Sequence, residues 1–253
     1  MTERLQLPAD YRPDHNTLKG RQVLVTGASR GLGRAIACDL AAAGAQTILL
    51  ARDVKALEHL ADEILAAGHA EPILIPCNLE AATHAHYEEI AEHLRARLGH
   101  LDGVIFNAGM LGELSPLATY DPTVWARVFQ VNLHSPFLML RCLLPLLDAG
   151  TRSSILFVSS AVGRQARAYW GAYAASKFAL EGMMQVLADE LASAASVKVN
   201  SVNPGRCRTR MRAQAYPAED AEKLPEPATL APFFTYLLSP AADHFHGRQL
   251  DLQ

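Results

Sequence analysis

Cysteine is scarce and scattered: Cys38, Cys77, Cys142 and Cys207 are the four in 253 residues, and no two form a C-x-x-C pair. That spacing excludes a disulfide frame or a zinc site and points to buried thiols in a reducing compartment, so a cytoplasmic location is expected. An excess of one charge is lacking too. Lys and Arg number 23 against 26 Asp and Glu, a net charge of −3, so no broad basic field exists and nucleic acid is not an expected partner. Long apolar runs are absent. The longest, 136–147, is interrupted by Arg141 and is too short for a bilayer, and residues 1–10 have no apolar leader core. No membrane partner or leader is expected. Glycine (16) and proline (14) stand at ordinary levels, which excludes collagen-like and low-complexity chains. What remains is a chain that is 50% hydrophobic and long enough to bury roughly 70–75% of the surface its unfolded form exposes.

Two kinds of segment alternate along it. Short aliphatic or β-branched runs at 22–26, 47–50, 73–75, 103–106, 154–159 and 197–202 are nearly continuous in hydrophobicity, as strands buried on both faces are. Helical stretches lie between them at 33–43, 54–67, 82–98, 123–147 and 171–194. Gly44, Gly68 and Gly99 follow three of these, where a helix end favours positive φ. This alternation predicts right-handed βαβ units: a single doubly wound, Rossmann-type α/β domain with a mostly parallel sheet of about seven strands and helices on both faces. The last strand is expected at 247–252. The domain is expected to cover 19–253, preceded by a flexible arm over 1–18. Around 206–232 the pattern breaks into proline, alanine and charge, and this segment is expected to be a mobile excursion that covers a substrate.

The first strand runs into Gly27-Ala28-Ser29-Arg30-Gly31-Leu32-Gly33, and a helix follows. Glycines there permit a tight turn and let backbone N–H groups approach a pyrophosphate at the helix N-terminus. NAD binding ordinarily uses a carboxylate at the end of the second strand. Here Ala51 is followed by Arg52, with Arg30 inside the glycine turn. Two guanidiniums suit the 2′-phosphate of NADP(H), at about 1.5–3 kcal/mol per charged hydrogen bond. NADP(H) is therefore favoured over NAD(H), and Asp53 is the residue that tempers this expectation.

Tyr173 and Lys177 stand at i and i+4, one turn apart on a helix face. A phenol with a pKa near 10 is a poor base at neutral pH, and a neighbouring ammonium lowers it by about one to three units. Ser160, thirteen residues upstream, follows an apolar strand, where its hydroxyl can hold a substrate oxygen near Tyr173.

Together these blocks resemble the short-chain dehydrogenase/reductase family over nearly the whole chain. They are Thr26 to Gly33, Asn107-Ala108-Gly109, Val131-Asn132, Ser159-Ser160, Tyr173 to Lys177, and Asn203-Pro204-Gly205 leading to Thr209. The run Gly163-Arg164-Gln165 through Tyr173 to Met183-Met184-Gln185 is more narrowly similar to the bacterial YciK-type oxidoreductases. The resemblance implies Tyr173 as general acid or base, Lys177 lowering its pKa and holding the nicotinamide ribose, Ser160 polarising the carbonyl, and Asn132 anchoring a water. It implies cofactor contacts at Gly27, Ser29, Arg30, Gly31, Leu32, Gly33, Arg52, Asn78, Leu79, Asn107, Ala108, Gly109, Pro204, Gly205, Cys207 and Thr209. Asn107 would frame the adenine side, and Asn78 stands where the family has an aspartate. A homodimer or homotetramer is implied through the long helices. The expected activity is NADP(H)-dependent hydride transfer on a carbonyl or alcohol. The rival is a non-catalytic NADP(H)-binding redox sensor, against which a complete Tyr, Lys and Ser set counts. A third reading, epimerase or dehydratase chemistry, fits the glycine spacing less well.

Arg206, Arg208, Arg210 and Arg212 recur every second residue and would share a face in an extended segment. They form either a cationic rim for an anionic small-molecule substrate or, more plainly, a solvated flap. Arg164, Arg167 and Trp170 are placed near the same mouth. The pairs His84/His86 and His244/His246 lack companion ligands, so no metal is expected.

Overall fold

The computed structural model describes residues 2–193 and 196–252. Eight strands form one sheet in the order β1-β8-β7-β6-β5-β2-β3-β4, every neighbouring pair parallel. They are β1 Thr2–Arg4, β2 Gln22–Thr26, β3 Gln46–Ala51, β4 Ile73–Pro76, β5 Gly103–Phe106, β6 Ser153–Val158, β7 Val197–Asn203 and β8 Arg248–Asp251. The helices are α1 Gly31–Ala42, α2 Val54–Ala66, α3 His84–Leu98, α4 Pro122–Phe129, α5 Ser135–Asp148, α6 Gly171–Glu190, α7 Arg210–Ala215 and α8 Pro227–Leu238.

The strands are near-continuous hydrophobic runs because successive side chains enter different cores. Val23 and Val25 of β2 join a cluster with residues of α1, α2 and α8, whereas Leu24 joins one with residues of α3, α5 and α6. β6 repeats this, with Leu156 and Val158 on the first side and Ile155 and Phe157 on the second. The order reverses between β2 and β5, which both start near the sheet centre and whose connections leave toward opposite edges. The C-terminal ends of these two strands bound the crevice where doubly wound sheets bind ligands.

The sheet is the parallel one expected at about seven strands, and the N-terminal segment supplies an eighth. Within 1–18, Thr2–Arg4 pairs with β8, Leu5 N–H donates to Asp251 O at 2.8 Å, and Leu5 and Leu18 are buried. The open edge of β8 and two leucines hold this segment down as a strap. The single helix over 123–147 is two, α4 and α5, joined by a π-helical turn at Gln130–His134. Periodicity runs through such a turn without a break in composition, so it leaves no sequence signal. The excursion over 206–232 contains α7 and the start of α8, a helix whose apolar stretch 230–238 packs on α1. Pro227 at its first turn suits a helix start, while Pro232 inside it masked the pattern. For the helix expected over 171–194, α6 ends at Glu190 and Ala194 lies outside the described residues.

Candidate active site

The turn after β2 is held by Thr26, whose buried hydroxyl accepts from the backbone N–H groups of Asn107 and Ala108, both at 3.0 Å. Gly27 and Ala28 donate their N–H groups to Leu50 O of β3 at 2.8 and 3.2 Å. Gly27 and Gly31 take φ of +67° and +55°, the left-handed region that glycine enters freely. A Cβ on Gly33 would overlap Gly27 O and Asn107 Nδ2, so the helix can approach the turn only with glycine there. α1 starts with no side-chain cap and no acid in its first turn. Its N–H groups and the bare turn make a cradle fit for a phosphate.

The Asn107 side chain donates to Thr26 O at 2.9 Å and to Gly27 O at 3.4 Å. Its amide nitrogen braces the turn and so shapes the cradle. At the end of β3, Asp53 caps α2 by accepting from Ala56 N–H at 3.2 Å, and it pairs with Arg30 at 3.3 Å. This explains the ambiguity of that position: the carboxylate serves a helix end, and Arg52 and Arg30 remain exposed beside the turn. Asn78 is exposed and its side-chain oxygen accepts from Glu80 N–H at 3.2 Å, while Leu79 turns into the core and its carbonyl accepts from Ser135 Oγ at 2.7 Å. Ser29 and Ala108 are half-buried.

The second half of the site rests on α6. Tyr173 and Lys177 lie one turn apart, both buried, with the ammonium 5.7 Å from the phenol ring centre. Lys177 Nζ donates to Val158 O, the last residue of β6, at 2.7 Å. Ser160, two residues beyond that strand, hydrogen-bonds the Tyr173 side chain. Burial pushes the phenol up to about 12, with the Ser160 bond pulling the other way. Burial likewise holds Lys177 down to about 8, with the charge of Glu181 opposing it. Lys177 was expected to bring the phenol toward neutrality; in the protein alone desolvation prevails and the phenol keeps its proton.

Asn132 sits in the π-helical turn, 1% exposed. Its Nδ2 donates to Met110 O and Ser176 Oγ, both at 3.0 Å, and its Oδ1 accepts from Met110 N–H at 2.7 Å. The side chain is a clamp between β5's exit and α6. π-turns recur at functional sites because they re-aim a helix locally. Gly109 closes the gap between the two halves: a Cβ placed on it would lie 3.7 Å from Asn132 Oδ1 and 3.9 Å from Lys177 Nζ.

After β7, Asn203 receives Gly205 N–H at 3.1 Å on its side-chain oxygen and donates to Asp251 Oδ1 at 2.9 Å. Gly205 takes φ +72°, and Pro204 leads the chain back over the glycine turn, where Thr209 Cγ2 stands 3.4 Å from a Cβ position on Gly31. Thr209 also caps α7. Cys207 is buried, its thiol pushed up to about 11 by burial and then by Glu226, so it lines this loop as a small apolar group.

Several residues escaped the sequence reading. Ser176, fully buried, relays Asn132 to Tyr173 O at 2.8 Å. Glu181, at i+4 from Lys177, accepts from Ser201 Oγ at 2.7 Å and Gln249 Nε2 at 2.9 Å. Its spacing was the available signal. Arg164 is not at the mouth: it pairs with Glu181 at 3.4 Å and with Asp251, 13% exposed. Two of the paired histidines have structural partners. His86 accepts from Thr83 N–H at the start of α3, and His246 lies between Val199 N–H and Ala188 O.

The short chain dehydrogenase family signature matches residues 21–220. The uncharacterized oxidoreductase YciK of Escherichia coli K12 is 43% identical over 243 residues, 96% of this chain and 96% of that protein. A short chain dehydrogenase of Escherichia coli CFT073, solved in complex with NADPH, superposes with a TM-score of 0.92 at 43% identity, covering 95% of this chain and 100% of its own. One from Shigella flexneri 2a strain 301, in complex with NADP, gives 0.92 at 42% identity with the same coverage. A glycine cradle and a Tyr-Lys-Ser cluster meeting at the switch point of an all-parallel sheet agree with these matches. The chain belongs to the short chain dehydrogenase family, as an oxidoreductase of the YciK type.

Proposed function

We propose that the protein is an NADP(H)-dependent oxidoreductase that interconverts a small-molecule carbonyl and its alcohol. The observation that carries this is the Tyr173 phenol, held by Ser160 beside Lys177, with Gly109 joining that cluster to the glycine cradle. The two relatives solved with NADPH and NADP support the choice of dinucleotide, as do Arg30 and Arg52 where an NAD site would need a free carboxylate. The turn at Gly27, Gly31 and Gly33 with the α1 N-terminus would hold the pyrophosphate, Lys177 the nicotinamide ribose, and 204–209 the nicotinamide end.

When bound, the dinucleotide supplies or accepts the hydride. This chain's own residues place the substrate and move the proton. A phenol whose pKa burial pushes up to about 12 is fully protonated at neutral pH and donates its proton to the developing alkoxide, which is the reduction direction. Ser160 donates to the same oxygen and holds it within reach of the phenol. Asn132 keeps α6 and the exit of β5 in register. A pure redox sensor has no use for this set. Half-exposed Phe137, Phe178 and Val186 on α5 and α6 support a homo-oligomer built on those helices, and four thiols free of disulfides support a reducing compartment.

The test is Tyr173→Phe, which keeps the ring and removes the proton. Carbonyl reduction with NADPH should fall by roughly 10²–10⁴-fold while NADPH affinity stays within about twofold. Turnover retained by this variant would overturn the assignment.

A further inference from the structure

Arg164 stands where the turn after Ser160, α6, β8 and the exit of β7 come together. Its own segment is that turn: Gly163 N–H donates to Ser160 O at 2.9 Å and Arg164 N–H to Ala161 O at 3.1 Å. The turn is pressed against α6, because a Cβ on Gly163 would come within 2.8 Å of Lys177 Cβ and 3.1 Å of Ser159 Oγ. The guanidinium then reaches two acids. Its Nε donates to Glu181 Oε1 at 3.4 Å, and its Nη1 pairs with Asp251 of β8.

Each acid carries the link onward. Glu181, one turn beyond Lys177 on α6, accepts through its other oxygen from Ser201 Oγ of β7 at 2.7 Å and from Gln249 Nε2 of β8 at 2.9 Å. Its charge also favours the Lys177 ammonium, opposing the effect of burial. Asp251 Oδ1 accepts from Asn203 Nδ2 at 2.9 Å, and Asn203 Oδ1 receives the N–H of Gly205 at 3.1 Å. One side chain thus joins the Ser160 turn and the helix of Tyr173 and Lys177 to the loop that starts at Pro204.

Stability alone is a poor reason for such a bridge. The side chains of Glu181 and Arg164 are 4% and 13% exposed, and burying charges costs hydration that pairing barely returns, so apolar side chains of similar volume often stabilise as well or better. A guanidinium shared by two acids is satisfied only when the segments carrying them stand at fixed separations, and that register is what a site needs from its supports.

We propose that Arg164 is a positioning residue, which with Glu181 and Asp251 holds the Ser160 turn, α6 and the Gly205 loop in one register. The inference rests on the reading of Ser160, Tyr173 and Lys177 as the reacting cluster and of 204–209 as the nicotinamide loop. The bridge touches neither substrate nor dinucleotide and acts through the groups it spaces.

Two ligands separate positioning from general support: NADPH, and adenosine 2′,5′-bisphosphate, which lacks the nicotinamide half. Each is titrated calorimetrically into wild type, Arg164→Met and the double variant Arg164→Met/Glu181→Gln, with NADPH-dependent reduction of 4-nitrobenzaldehyde followed alongside. Arg164→Met should weaken NADPH about tenfold and lower kcat roughly ten- to hundredfold, while the bisphosphate keeps its affinity within about twofold. The double variant has one unpaired buried carboxylate fewer, so it should regain much of the lost resistance to urea but neither kcat nor NADPH affinity. Equal weakening of both ligands, unchanged NADPH affinity in Arg164→Met, or activity that returns with stability in the double variant would overturn the proposal. A wild type that binds NADPH yet reduces neither 4-nitrobenzaldehyde nor a panel of ketones counts against the oxidoreductase reading, and the contrast between the two titrations still decides the bridge.

Discussion

Burial sets the protonation of the two α6 side chains in opposite senses, and each has a consequence for stability. Lys177 is held down to about 8 from the ordinary 10.5. Below pH 8 both folded and unfolded chains carry its proton, and the folded state bears the full cost of a buried ammonium. Between about 8 and 10.5 the unfolded chain binds more protons, so the contribution of this group to stability rises with pH. Tyr173, pushed up to about 12, acts oppositely, keeping its proton between 10 and 12 while the unfolded phenol loses it. Urea unfolding of wild type and Lys177→Met at pH 7 and 9.5 checks this. The wild type should gain on the variant by on the order of 2 kcal/mol over that interval, and a constant difference would contradict it. Arg52→Ala belongs to the same scale. Removing a charged hydrogen bond to a 2′-phosphate should weaken NADPH roughly ten- to hundredfold and leave NADH unchanged, as read by fluorescence titration; equal losses would remove Arg52 from the site.

Elements meet at this site through close backbone approach, and glycine makes that possible. Gly33 lets α1 press against the turn whose carbonyl and whose Asn107 neighbour occupy the space of a side chain. Gly33→Ala should cost about 1–3 kcal/mol in thermal or urea unfolding and abolish measurable dinucleotide binding. A variant that binds NADPH normally would show that the cradle yields more easily than its packing implies. The π-helical turn works differently. It gives α4 and α5 a joint at which Asn132 turns inward to bond Met110 and Ser176, and a regular helix would aim position 132 elsewhere.

At the scale of the whole molecule, the sheet is closed on one side by its own N-terminal strap. β1 covers the edge of β8 and Leu5 is 3% exposed beneath it. An uncovered parallel edge is a template for pairing with another chain. Deleting residues 1–5 should lower stability by about 2–4 kcal/mol, the scale of one buried leucine, and produce concentration-dependent association in light scattering. An unchanged melting temperature with a monodisperse product would show that the strap is dispensable.

Much of this was legible in the chain. β2, β5, their neighbouring helices, the glycine turn and the Tyr173-Lys177 spacing were readable because they depend on local pattern: two-sided burial makes a strand continuously apolar, and one helical turn fixes i and i+4 on one face. The eighth strand was not readable, since three residues of Thr-Glu-Arg carry no strand signal until β8 offers them an edge. Nor was the fate of the arginines. Alternation left open a cationic rim or a solvated flap, while the fold brought Glu226 against Arg208 and Glu219 against Arg212. The sequence by itself determined the family and the sheet's winding, and it singled out Tyr173, Lys177 and Ser160 as the proposed reacting groups. Tertiary structure alone decided their protonation and their clamps, because desolvation and long-range pairing depend on what the rest of the chain packs around a residue, not on its neighbours in sequence.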